Sequence, residues 1–248
     1  AAADLDRRFT LAAGLIELAD REFGAIRERI QAAAPGSTTE PEADRIVGQD
    51  LATFLAGHYS DAGWSHTDHY DWIADLGSEL HVLVNNVGHN LRRRTLDYDE
   101  SEVRGLLETN VVSAFEMCRL AHPLLARHGQ AAIVNIGSVA GLTHVRTGSP
   151  YGMSKAALIQ LTRNLAVEWA GDGIRVNAVA PWYIRTARSE AALADPAYLE
   201  EVIERTPMGR IGEPEEVAAA VAFLCLPASS YVSGECVAVD GGFLRHGF

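Results

Sequence analysis

AAIVNIGSVAGLTHVRTGSPYGMSK (131–155) holds two periods in one short stretch, and the change between them decides the fold. AAIVNIG (131–137) is a short apolar run closed by glycine, which reads as a buried strand. From Tyr151 the pattern changes: Leu158, Leu161, Leu165 and Trp169 fall at helical spacing, so 151–171 reads as a helix. The same alternation continues on both sides. Upstream, LHVLVNN (80–86) reads as a strand and 98–129 as one long helix. Downstream, 174–180 reads as a strand and 182–206 as a polar insert, loop-like and then helical. A helix at 213–225, with acidic residues in its first turn where the helix dipole favours them, and a last strand at 236–240 complete the pattern. Strands that alternate with helices imply a parallel sheet with right-handed crossovers, an α/β fold.

The central stretch also carries chemistry. Tyr151 and Lys155, at i and i+4, share a helix face. A free phenol titrates near ~10, and a neighbouring ammonium favours its anion, bringing it closer to acid–base work at neutral pH. Ser138, just past the strand, can add a hydrogen bond to a substrate oxygen. Alone, the Tyr/Lys pair more readily describes a helix with one aromatic side chain and one lysine whose stem lies along the surface.

Several further segments accompany the pair: NNVG (85–88), Asn110 within LETNVVSAF, IRVNAVAPWYIRT (174–186), GRIGEPEEVAAAVAFLC (209–225) and SGECVAVDGGF (233–243). Together with Ser138, Tyr151 and Lys155 they resemble the short-chain dehydrogenase/reductase family, in its tropinone-reductase-like branch, over about residues 80–248. The resemblance implies a Rossmann-like parallel sheet flanked by helices. It implies an NAD(P)-dependent oxidoreductase that interconverts a small ketone and a secondary alcohol by hydride transfer. Tyr151 would be the acid/base, Lys155 its tuner and a holder of the nicotinamide ribose, Ser138 the hydrogen-bond donor to the substrate oxygen, and Asn110 the positioner of a relay water. Asn85 and Gly88 would lie under the adenine ribose, and Pro181, Ile184 and Thr186 beside the nicotinamide. His144 and Val145 would wall the substrate pocket, and Trp182, where the family usually has glycine, and Tyr183 would either add an aromatic wall for an apolar substrate or simply pack under the loop. The resemblance further implies a homodimer or homotetramer, paired through the helices at 98–129 and 151–171.

Residues 1–79 do not follow the resemblance. The family's glycine-rich phosphate turn, in which closely spaced glycines let the backbone approach a pyrophosphate, has no counterpart among Gly14, Gly24, Gly36, Gly48, Gly57, Gly63 and Gly77. Continuous β-branched runs are missing too. Segments 10–34, 42–58 and 66–77 read instead as helices, an atypical, mostly helical N-terminal third within a single 1–248 domain. The alternative function is therefore a cofactor-free or degenerate relative that has lost dinucleotide binding and acts as a small-molecule binder, a non-redox enzyme or a structural homologue. His58, His66 and His69 with Asp61, Asp68 and Asp71 could be metal ligands, but no scaffold for them is evident, and a solvated polar loop is the preferred reading. His89 and Arg92–Arg94 could line the mouth of the site or form an exposed loop.

Composition narrows the classes. The chain has 248 residues and a net charge of −12, with 21 basic and 33 acidic side chains. Nucleic acid and anionic membranes are not expected partners. Cys118, Cys225 and Cys236 read as reduced core residues. No apolar run reaches transmembrane length and no signal-peptide core is visible, so the expected location is the cytoplasm.

Overall fold

The computed structural model describes residues 80–247. The helices expected at 10–34, 42–58 and 66–77, and the histidines at 58, 66 and 69, lie outside the described residues. Four strands, β1 (Val82–Asn85), β2 (Ala131–Ile136), β3 (Ile174–Pro181) and β4 (Cys236–Val239), form one sheet in the order β1-β2-β3-β4. All three pairings are parallel, with Val84 opposite Val134, Val134 opposite Asn177, and Ala180 opposite Ala238.

Helices cover both faces, which is why β2 reads as continuous apolar sequence rather than as an alternation. On one face Ile133 and Val176 pack with Met117, Leu125, Leu165 and Trp169. These come from α2 (Ser113–His128) and from α3 (Ser149–Glu168) with its C-cap. On the other, Val134 and Val179 pack with Leu224, Val217 and Val221 of α6 (Pro214–Cys225).

The expected single helix over 98–129 is interrupted. α1 (Glu100–Leu107) starts on a capping box between Asp99 and Glu102, gives way to a π turn at Glu108–Val112, and resumes as α2. α3 begins at Ser149, two residues before the expected 151, with Pro150 in its first turn, where a missing N–H costs no intrahelical bond. The insert at 182–206 holds two helices, α4 (Ala187–Leu193) and α5 (Pro196–Glu204). Among the described residues no helix is long and apolar enough to cross a membrane. The three cysteines are free, and burial pushes the Cys118 thiol up to about 12, so it stays an inert core group.

Arg175 of β3 braces the sheet to α6. Its Nη1 donates to the carbonyls of Leu224 (2.9 Å) and Val232 (3.3 Å), and its Nη2 to that of Leu226 (3.4 Å). Arg175→Met should therefore lower the unfolding free energy by about 2 kcal/mol in urea denaturation, because half-buried carbonyls lose a charged donor. A loss below ~0.5 kcal/mol would mean that water replaces the guanidinium without cost.

Candidate active site

The predicted residues gather beyond the carboxyl ends of the strands, where parallel α/β sheets bind ligands. Asn85 ends β1 and Gly88 follows it, Ser138 follows β2, and Pro181 ends β3, with Ile184 and Thr186 after it.

The π turn explains Asn110. It inserts an extra residue into the helix and turns this side chain fully inward, to 0% exposure. Asn110 Oδ1 accepts from the His89 amide at 2.8 Å, and Nδ2 donates to the His89 carbonyl and to Ser154 Oγ, both at 2.9 Å. Ser154 Oγ in turn donates to the Tyr151 carbonyl at 2.8 Å. Asn110 thus clips the loop after β1 to the first turns of α3.

Lys155 is buried, and its Nζ donates to the Ile136 carbonyl at the end of β2 (2.8 Å). The ammonium stands 5.9 Å from the centroid of the Tyr151 ring. A Cβ on Gly88 would lie 3.1 Å from Lys155 Nζ and 3.3 Å from Asn110 Oδ1, so this position has room for little beyond glycine. Ser138 caps the turn Val139–Gly141, its Oγ accepting from the Ala140 amide at 3.1 Å, which leaves the O–H proton to donate elsewhere. That turn rests directly on α3: a Cβ on Gly141 would meet the Lys155 carbonyl carbon at 2.7 Å and the Ala156 nitrogen at 2.8 Å. Asn110, Ser138, Tyr151 and Lys155 are therefore held to one short stretch of α3.

Asn85 lies beside this group, but its side chain points into the core. Its Nδ2 donates to Asn135 Oδ1 at 2.8 Å and to Cys118 Sγ at 3.2 Å, and Asn135 passes the chain on to Thr162 Oγ1 at 2.9 Å. Asn135 and Ser154 were not singled out from sequence. The only signal was a polar residue inside the apolar run AAIVNIG and a serine one helical turn past Tyr151. Ile184 bridges to Gly212, and the Thr186 hydroxyl caps α4 by accepting from the Ser189 amide at 3.2 Å.

The expected substrate wall is a cavity of about 230 Å³ whose lining includes His144, Val145, Trp182 and Tyr183; Ser138 and Tyr151 are not part of that lining. Trp182 stacks on Phe243 at 3.8 Å, and its indole N–H donates to Thr206 Oγ1 at 3.1 Å. Tyr183 Oη lies 2.6 Å from Tyr198 Oη and accepts from Arg92 Nη2 at 2.8 Å. Burial, and then the bond to Tyr198, push the Tyr183 phenol up, so it stays a neutral hydrogen-bonding group. Of the arginine run, Arg92 reaches this wall, whereas Arg93 pairs with Glu102 at 2.7 Å. Among the described residues no group of three or more His, Cys, Asp or Glu is arranged to hold a metal ion.

Comparison with known proteins adds a family match, two relatives and a solved structure. Residues 65–244 match the family model described as enoyl-(acyl carrier protein) reductase. A tropinone reductase homolog of Arabidopsis thaliana is 55% identical over 173 residues, covering 70% of this chain and 66% of the relative. A chloroplastic tropinone reductase homolog of the same plant is 51% identical over 170 residues, covering 68% of this chain and 53% of the relative. The chain thus spans less than two thirds of the length of these relatives. Among solved structures, a gluconate 5-dehydrogenase of Burkholderia cenocepacia in complex with NADP and tartrate superposes with a TM-score of 0.71 at 28% identity, over 79% of this chain and 82% of that one.

Proposed function

Because the chain belongs to the short-chain dehydrogenase/reductase family, we propose that it is an NAD(P)-dependent oxidoreductase interconverting a small ketone and a secondary alcohol. The observation that carries this reading is the buried Lys155 ammonium, set between Gly88, Asn110 and the Tyr151 ring.

The residues present after β1 fit part of a dinucleotide. Gly88 forms a cradle that a Cβ would fill, and Asn90, in the same loop, has a buried Oδ1 without a hydrogen-bond partner. Lys155 and the Pro181–Thr186 segment would hold the nicotinamide end, with Gly88 under the adenine ribose, and the bound NAD or NADP would supply or accept the hydride. Tyr151 gives its phenolic proton to the carbonyl oxygen during reduction and takes it back during oxidation. Ser138 donates to the same oxygen, where negative charge develops as the carbonyl is reduced. Asn110 fixes the Tyr151 turn through Ser154 and holds the His89 backbone in place.

A nucleotide titration of the full chain tests the reading. Tryptophan quenching and calorimetry with NAD, NADH, NADP and NADPH should show saturable binding of at least one pair, and the preferred pair identifies the cofactor. No signal at millimolar nucleotide would overturn the proposal in favour of a cofactor-free relative, the reading that the glycine spacing before residue 80 supports. We also propose a homodimer or homotetramer located in the cytoplasm. Support for pairing comes from Phe115 of α2 (44% exposed) and Val167 of α3 (81%), apolar side chains left at the surface of the two expected interface helices.

A further inference from the structure

The cavity beside Trp182 carries an unusual charge pattern for a chain with a net charge of −12. Arg146 and Arg205 line it, and both lean on one acid, Glu201. Arg146 Nη2 pairs with Glu201 Oε2, and Arg205 Nε stands 3.6 Å from Oε1. A third guanidinium, Arg92, lies 5.7 and 5.9 Å from the ring centroids of Tyr183 and Tyr198, while Arg146 lies 5.8 Å from the Tyr198 ring. Two guanidiniums of the lining thus share a single carboxylate, and a third stands against the two tyrosines. Each guanidinium is a planar fork of five N–H donors, and Glu201 engages Nη2 of one and Nε of the other. Such forks suit a second carboxylate. Thr147, itself buried, also lines the cavity, and its hydroxyl oxygen has no hydrogen-bond partner. Trp182, Phe243 and Val202 supply the apolar part of the lining. A cationic ligand would have only Glu201 to meet and the two arginines of the lining to oppose it.

We propose that this cavity holds the carboxylate of a compact oxo- or hydroxy-acid, with Arg146 and Arg205 as the groups that select the anion. The proposal rests on the oxidoreductase reading and adds the substrate class to it. Size supports the compact limit, since about 230 Å³ lies below the usual range for drug-sized ligands, roughly 300–1,000 Å³. Place supports the link to catalysis: Thr147 directly precedes Gly148, the N-cap of α3, and α3 carries Tyr151.

The test compares 4-oxopentanoate with its methyl ester, which keeps the skeleton and removes the charge. Binding to the full chain is measured by tryptophan quenching and calorimetry, with and without NADP. The acid should bind about tenfold tighter than the ester at low salt, with the preference shrinking as salt is added. The double variant Arg146→Gln/Arg205→Gln should abolish the preference, and Glu201→Gln should raise it several-fold by leaving both forks to the ligand. Equal binding of acid and ester, binding of neither, or a preference that survives in the double variant would overturn the proposal. Failure of the oxidoreductase reading looks different: the acid binds with its charge preference intact, yet neither NADH nor NADPH reduces it.

Discussion

Tyr151→Phe should lower kcat for ketone reduction by about 10²- to 10⁴-fold, the usual contribution of a positioned proton donor. The substitution removes only the phenolic oxygen. The α3 backbone stays, because Ser154 binds the Tyr151 carbonyl and not its side chain. The ring can remain beside the Lys155 ammonium, which keeps its bond to the Ile136 carbonyl. Nucleotide affinity should therefore be close to that of the parent chain, so that the loss falls on kcat. A variant that retained turnover within ~tenfold would show that the proton comes from another group. Stopped kinetics with unchanged nucleotide binding would tie the phenol to chemistry alone.

Gly141→Ala should damage stability and turnover together. Its new methyl would sit 2.7 Å from the Lys155 carbonyl carbon and 2.9 Å from the carbonyl oxygen. Both are helix backbone and cannot swing aside as a side-chain end would. Either the turn carrying Ser138 lifts off α3, or α3 shifts at the residue that presents the ammonium. Overpacking of this kind costs about 1–3 kcal/mol, which urea denaturation would read directly. Turnover should fall further than the folded fraction does, because Ser138 no longer stands in register with Tyr151. Gly105→Ala is the natural control: this helical glycine of α1 has nothing within 4 Å of its missing Cβ, and alanine there should be neutral or stabilising by up to ~1 kcal/mol. If both variants behaved alike, the close approach at Gly141 would not matter.

The parallel sheet and the Ser138–Tyr151–Lys155 group were legible because each depends on local pattern. A strand buried on both faces shows as AAIVNI whatever surrounds it, and a Tyr/Lys pair one turn apart shares a face in any helix. The π turn at Glu108–Val112 was not legible, since one extra residue barely alters the spacing of apolar side chains over a helix of this length. The inward turn of Asn85 was hidden for a different reason: its partner, Asn135, lies on the neighbouring strand, and their meeting depends on register. The cavity wall is the extreme case. Arg92, Tyr183 and Tyr198 come from three segments, and no spacing in the chain announces that their polar ends converge. Trp182 was expected at the substrate pocket; it does line the cavity, and its ring is stacked on Phe243.

The order of the four strands bears on how the chain can fold while it is being made. β1, β2, β3 and β4 lie side by side in the order in which a ribosome would release them. Each described strand after β1 therefore emerges with its neighbour already present, and no gap among the described strands waits for a later segment to fill it. The growing edge always ends on the newest strand, so at most one described edge is left open by unfinished synthesis. Open edges and unfilled gaps are where partly made sheets pair with the wrong chain. A sheet that grows in one direction limits that exposure to the interval between one strand and the next.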